Sequence, residues 1–176
     1  MTVFLCGFMG CGKSCTGKRL SEKLGTKFID MDDYIVNREG MSIPDIFSQK
    51  GEKYFRAAES ASIIELSHEN AVIACGGGAM LSDENAENAG RSAAVIFIDV
   101  PFEICYSRIK DDPNRPIAVN NSKDKLLDIY TQRRSIYIQH SQITVDASAH
   151  SADEVSSMLE QAVIKLSETR RNGGFH

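Results

Sequence analysis

The stretch Gly7-Phe8-Met9-Gly10-Cys11-Gly12-Lys13-Ser14 decides how the rest of this 176-residue sequence reads. Apolar Val3-Phe4-Leu5-Cys6 before it has the character of a short buried strand. Cys15 to Leu24 after it carries Leu20 and Leu24 one helical turn apart. A G-x-x-x-x-G-K-[ST] pattern between a strand and a helix is a phosphate-binding loop. Its glycines let successive backbone N–H groups turn inward around phosphate oxygens, and the helix N-terminus adds a positive dipole. Lys13 then reaches the terminal phosphates and the Ser14 hydroxyl is a ligand for Mg²⁺.

Outward from the loop, strand and helix signals alternate. Strands are expected at Thr2–Cys6, Lys27–Asp30, Ala71–Cys75, Ala93–Asp99 and Gln142–Asp146, each but the last followed by turn residues and helical periodicity. Short apolar strands alternating with helices predict an α/β fold, a parallel sheet covered on both faces. In such sheets ligands bind beyond the carboxyl ends of the strands, so the residues just after each strand carry the chemistry.

Length, at 176 residues, fits one domain over about residues 1–170, with a polar tail at 171–176 expected to fray. A net charge of −4 argues against nucleic acid or an anionic membrane as partner. No apolar run is long enough to span a bilayer, and the strand starting at once leaves no room for a signal peptide. The five cysteines lack C-x-x-C spacing and the four histidines lack metal spacing, which points to a reducing cytoplasm. Cys6, Cys75 and Cys105 lie in apolar segments and are expected to be buried thiols; Cys11 and Cys15 flank the phosphate loop as loop and helix residues.

Several strand ends hold candidates. In Asp30-Met31-Asp32-Asp33 an extended backbone would aim the carboxylates of Asp30 and Asp32 the same way, one for a metal water and one for a substrate hydroxyl. The competing reading makes one of them the N-cap of a helix starting near Asp33. Ser42 and Pro44 suit a helix start. Arg56 and Glu59 stand i, i+3 on the following helix, a spacing that on its own describes a solvent-exposed pair. Gly76-Gly77-Gly78 would admit a ligand close to the backbone. Lys110 to Pro116, with two prolines and Arg115, has the composition of a surface loop that folds over a phosphate, or of a linker. On the helix from Asp124 to about His140, Leu126, Tyr130 and Tyr137 mark an inward stripe that Arg133 continues; Arg134 lies only about 100° away, so the wheel does not choose between them.

Together these marks resemble the shikimate kinases: Gly7–Ser14, Asp30-x-Asp32, Phe55-Arg56-x-x-Glu59, Gly76-Gly77-Gly78, Arg115-Pro116, and Arg133 four residues before Tyr137, in the family's order from residue 1 to about 165. The resemblance implies a three-layer P-loop fold with a five-stranded parallel sheet, a substrate-binding region near 31–60 and a lid near 110–124. It implies a cytoplasmic, monomeric enzyme that uses ATP and Mg²⁺ to phosphorylate the 3-hydroxyl of shikimate, on the route to chorismate and the aromatic amino acids. By the same resemblance ATP is bound by Gly10, Cys11, Gly12, Lys13, Ser14, Cys15, Arg108 and Arg115, with Arg108 packing on adenine. Shikimate is bound by Asp32, Arg56, Gly77, Gly78 and Arg133. Lys13, Asp32 and Arg115 are catalytic, and the metal is held by Ser14 and, through water, by Asp30.

The sequence departs from the family in three places. Ile117-Ala118 stands where two leucines are usual, Cys15 where threonine is common, and Asp146 to His150 has no arginine or lysine for the adenine. A gluconate-type sugar kinase or a nucleoside-monophosphate kinase shares the loop and fold but should lack the Phe55-Arg56/Glu59 and triple-glycine combination. A nucleotide-hydrolysing switch would need a water-positioning residue that the sequence does not single out.

Overall fold

Five strands, β1 (Val3–Cys6), β2 (Lys27–Asp30), β3 (Ala71–Ala74), β4 (Ala94–Asp99) and β5 (Ile143–Asp146), pair in parallel in the order β2-β3-β1-β4-β5. They belong to a computed structural model that describes residues 1–112 and 116–172. The strand ends differ from the sequence expectation by at most one residue.

β1 is the central strand, with Leu5 facing Ala74 of β3 on one side and Ile96 of β4 on the other. Its continuous apolar run is divided between two layers by the period-two alternation of a strand. Val3 and Leu5 join the core under α1 (Lys13–Leu24) and α8 (Ala152–Asn172), whereas Phe4 and Cys6 join the core under α3 (Ile43–Leu66) and α7 (Lys123–His140). β4 divides in the same way: Ala94, Ile96 and Ile98 face the first layer, Val95 and Phe97 the second. Burial of both faces explains why these strands lack polar alternation.

The remaining helices are α2 (Met31–Glu39), α4 (Asp83–Ser92), α5 (Phe102–Ile109) and the short α6 (Pro116–Val119), with a 3₁₀ turn at Ala79–Leu81. α3 is broken at Gly51, whose φ of 82° is left-handed and open to glycine at little cost. The break separates a first segment capped by Ser42, with Pro44 in its first turn, from a second that carries Arg56 and Glu59. α7 is capped by Ser122 and α8 continues to Asn172. Among the described residues, no helix is long and apolar enough to cross a membrane.

From β1 the chain leaves toward β2, and from β4 it leaves toward β5, so connections diverge between these two neighbours. The crevice at their carboxyl ends is where this topology places a ligand, and residues 7–14 occupy it.

Candidate active site

The phosphate loop owes its form to Gly12. Its φ of 96° and ψ of 16° are left-handed, and as N-cap of α1 it offers no side chain to the first-turn N–H groups. Those donors stay free of a capping oxygen and point, with the helix dipole, at the same spot. Lys13 opens α1, and its Nζ donates to the carbonyls of Gly7 at 2.8 Å and Phe8 at 3.1 Å, which ties the ammonium across the loop. Arg108, from α5, donates through Nη1 to the Gly10 carbonyl at 2.9 Å. Cys11 is buried with its Sγ 3.7 Å from Lys13 Nζ, while Cys15 is exposed in the first turn of α1. Burial pushes the thiols of Cys6 and Cys105 up to about 12, so both stay neutral.

A cavity of about 420 Å³ opens in front of this loop, within the usual range for a small-molecule site. Gly10 to Thr16 form one wall; Asp30, Asp32, Gly76 and Gly77 form another; Arg108, Ala147, His150 and Val155 close a third.

Asp30 and Asp32 do not share an extended strand. β2 ends at Asp30, which caps α2: its Oδ1 accepts the N–H of Asp32 at 3.2 Å. The competing cap reading therefore holds for Asp30, with the helix beginning two residues earlier than expected. Asp30's other oxygen, Oδ2, accepts from the Ser14 hydroxyl at 2.8 Å and so links β2 to the phosphate loop. Asp32 sits in the first turn of α2 and reaches toward Gly76, where a Cβ would stand 2.6 Å from its Oδ1.

The exposed-pair reading of Arg56 and Glu59 also gives way. Glu59's side chain is only 2% exposed, and it accepts from Arg56 Nη1 at 2.9 Å. Glu52, one turn earlier, holds the other edge of the guanidinium at 3.3 Å. Burial raises the Glu59 carboxyl above its ordinary range, against the lowering effect of Arg56. For Arg56 burial opposes the charge, but the two carboxylates outweigh it and its pKa rises. The result is a guanidinium fixed in orientation at Gly78, where the space of a Cβ is already taken by Arg56 Nη1. Gly76 and Gly78 are glycines because Asp32 and Arg56 need that space.

Arg133 and Arg134 are separated by their partners. Arg134 is tied to Asp99 at the end of β4, with Nε 3.0 Å and Nη2 2.6 Å from its carboxylate oxygens. Arg133 instead lies at the glycine loop, its Nη1 3.7 Å from where a Gly77 Cβ would be. One turn on, the buried Tyr137 donates its hydroxyl to the Gly77 carbonyl at 2.6 Å. Arg115 lies outside the described residues.

The structure thus brings together the phosphate loop, Asp30, Asp32, Arg56, the glycine loop, Arg108 and Arg133. It adds residues that the sequence did not single out. Ala147, His150 and Val155 join the cavity wall, filling the place where no basic residue followed β5. Their position after a last strand is the signal that could have found them.

A phosphate loop at the switch point of a parallel sheet, opening onto a wall of arginine and aspartate, is the arrangement of a P-loop kinase. Comparison with known proteins narrows the class. Residues 9–164 match the family model described as "Shikimate kinase". The chain is 38% identical over 161 residues to the shikimate kinase of Macrococcus caseolyticus, covering 92% of this chain and 94% of that one. It is 41% identical over 138 residues to the shikimate kinase of Persephonella marina, covering 78% and 84%. Its fold matches the shikimate kinase of Acinetobacter baumannii in complex with shikimate with a TM-score of 0.85, at 32% identity over 93% of each chain. This chain belongs to the shikimate kinase family, which implies ATP as co-substrate.

Proposed function

We propose that this chain transfers the γ-phosphoryl group of ATP to the 3-hydroxyl of shikimate, giving shikimate 3-phosphate on the route to chorismate and the aromatic amino acids. The observation that carries the acceptor is the wall made by Arg56, held by buried Glu59, and by Arg133, both at the glycine loop and beside Asp32. Two guanidiniums suit a planar carboxylate, which each can grip with paired N–H donors.

Phosphoryl transfer asks for positioning and charge stabilisation more than covalent chemistry. The amides of Gly10, Cys11, Gly12, Ser14 and Cys15 cradle the phosphates, and Lys13 stabilises charge on the transferring group. Asp32 orients the acceptor hydroxyl and takes its proton as the new O–P bond forms and the bond to the ADP leaving oxygen breaks. Arg56, Arg133, Gly77 and Gly78 bind the carboxylate and hydroxyls of shikimate. Arg108 packs against the adenine. Arg115 is assigned to the phosphates by the family resemblance.

For Mg²⁺ the fit rests on the Ser14 hydroxyl and Asp30 carboxylate, which already meet at 2.8 Å. Both are hard oxygen donors, and a nucleotide-bound Mg²⁺ takes its remaining ligands from phosphates and water. Ser14 would ligate it directly and Asp30 through water, and the ion would supply positive charge against the phosphates. The wider reading is a single, monomeric, cytoplasmic domain over residues 1–170, with a substrate-binding region near 31–60 and no nucleic-acid or membrane partner; the lid expected near 110–124 and the tail at 171–176 fall partly outside the described residues.

The test is a coupled assay of ADP release with and without shikimate. Strong stimulation is expected. ADP release that ignores shikimate would remove the acceptor from the proposal.

A further inference from the structure

The glycine loop is pinned at each of its carbonyls from Gly76 to Met80. Five successive carbonyls are taken: Gly76 by the Ala79 N–H at 3.2 Å, Gly77 by the Tyr137 hydroxyl at 2.6 Å, Gly78 by the Leu81 N–H at 3.1 Å, Ala79 by Asn85 Nδ2 at 2.9 Å, and Met80 by His140 Nδ1 at 2.9 Å. Two of these bonds are local turns. The other three come from side chains on α4 and α7, and the two on α7 clip the loop at Gly77 and at Met80.

Arg133, Tyr137 and His140 are spaced by four and three residues, so they share one face of α7. The helix that brings Arg133 to the loop therefore also sets where the loop lies. We propose that His140 is a positioning residue for the acceptor: through Met80 it fixes the glycine loop against Arg133 and Arg56. This rests on the assignment of that loop to the acceptor.

The chemistry of the contact identifies which ring nitrogen matters. A carbonyl only accepts, so Nδ1 carries the proton, and both the neutral Nδ1–H tautomer and the imidazolium make this bond. Nε2 stands 3.1 Å from Asp83 Oδ1, but the Asp83 side chain is 90% exposed while that of His140 is 8% exposed. An ion pair with so solvated a partner contributes little. The Met80 carbonyl is the contact that orders the loop.

Two amides separate the ring nitrogens. Asparagine's Nδ2 can stand in for Nδ1, and glutamine's Nε2 for Nε2. Steady-state kinetics of His140→Leu, His140→Gln and His140→Asn, varying shikimate and ATP separately, make the test. Loss of one hydrogen bond predicts a shikimate KM about three- to ten-fold higher in His140→Leu and His140→Gln, with kcat and the ATP KM within about two-fold. His140→Asn should stay near the wild type, and so should Asp83→Asn. Hydrogen exchange at the Ala79 and Leu81 amides should quicken in His140→Gln but not in His140→Asn. That readout needs no substrate, so it judges the anchor even if shikimate proves not to be the acceptor. Recovery by glutamine rather than asparagine would overturn the proposal, as would equal rises in both KM values or no change in any variant. If His140→Leu does not fold, the two amide variants decide alone.

Discussion

The two ends of the proposed site are built in different ways. The phosphate end is one continuous segment, residues 7–14, whose backbone would supply most of the recognition. The proposed acceptor end is assembled from α2, the second half of α3, the loop after β3, and α7, and its recognition would come from side chains that other side chains hold. Backbone recognition needs glycines at fixed spacing and leaves a motif in the sequence. Side-chain recognition needs second partners such as Glu59 and Tyr137, and these are scattered over some 80 residues from Glu59 to Tyr137. The phosphate end is therefore expected to fail through single residues, and the acceptor end through its supports as well.

The largest expected effect is at the phosphate end. Lys13→Ala removes the one cation fixed within the loop, about 3–4 kcal/mol of transition-state stabilisation, and should slow turnover several-hundred-fold in the ADP-release assay with the circular dichroism unchanged. Asp32→Asn comes next. Because Asp30 is the cap of α2, the change should spare the helix, yet the amide cannot take a proton. A roughly hundred-fold drop in kcat with little change in either KM is expected; a normal kcat would leave Asp32 without a chemical role.

At the acceptor end, Arg56→Lys or Arg133→Lys keeps the charge and loses the planar fork. The shikimate KM should rise about ten- to a hundred-fold while ATP binding measured without shikimate stays level. The methyl ester of shikimate sharpens this: the wild type should discriminate against it, and Arg56→Lys less so. Gly78→Ala asks whether the loop's glycines serve space, since the new Cβ would meet the Arg56 guanidinium. A smaller rise in shikimate KM, about five-fold, is expected with ATP unaffected.

Glu59→Gln should have the smallest effect and carries a pH signature. Burial raises the Glu59 carboxyl in the folded state above its ordinary value of 4.5. Stability from its protonated form is complete below that ordinary value and is lost as pH rises through the folded value. Glutamine keeps the shape without ionising. Urea midpoints of the two proteins should lie closest near pH 4, and the variant should gain on the wild type toward pH 7. A gap that is flat with pH would mean Glu59 titrates as a solvent-exposed carboxylate does.

The sequence made the sheet legible because five short apolar runs alternate with helices, and strand ends fell within a residue of their expected places. The phosphate loop was legible for the same reason: its signal is local. What it did not reveal depends on tertiary contact. Asp30 and Asp32 looked alike in a strand register, but the capping bond from the Asp32 N–H turns the chain into α2 and gives them different tasks. The spacing of Arg56 and Glu59 was the same whether the pair faced water or the core; only the second half of α3 packing on the sheet decides it. Arg133 and Arg134 were indistinguishable until β4 offered Asp99 to the latter. Gly76 and Gly78 stood out as glycines, yet the side chains claiming their space lie on other elements.

The sheet also acts as a partition. Phe8, Met9 and Cys11 of the phosphate loop are rooted in the layer beneath α1 and α8, while Phe55, Met80 and Tyr137, which flank the acceptor wall, are rooted in the opposite layer. On the proposed assignment, a packing change in one layer would be felt first by one substrate. Heritable variation could retune the acceptor through Met80, Phe55 and their neighbours while the machinery that handles ATP stays as it was. The barrier between the two histories is a single layer of strands.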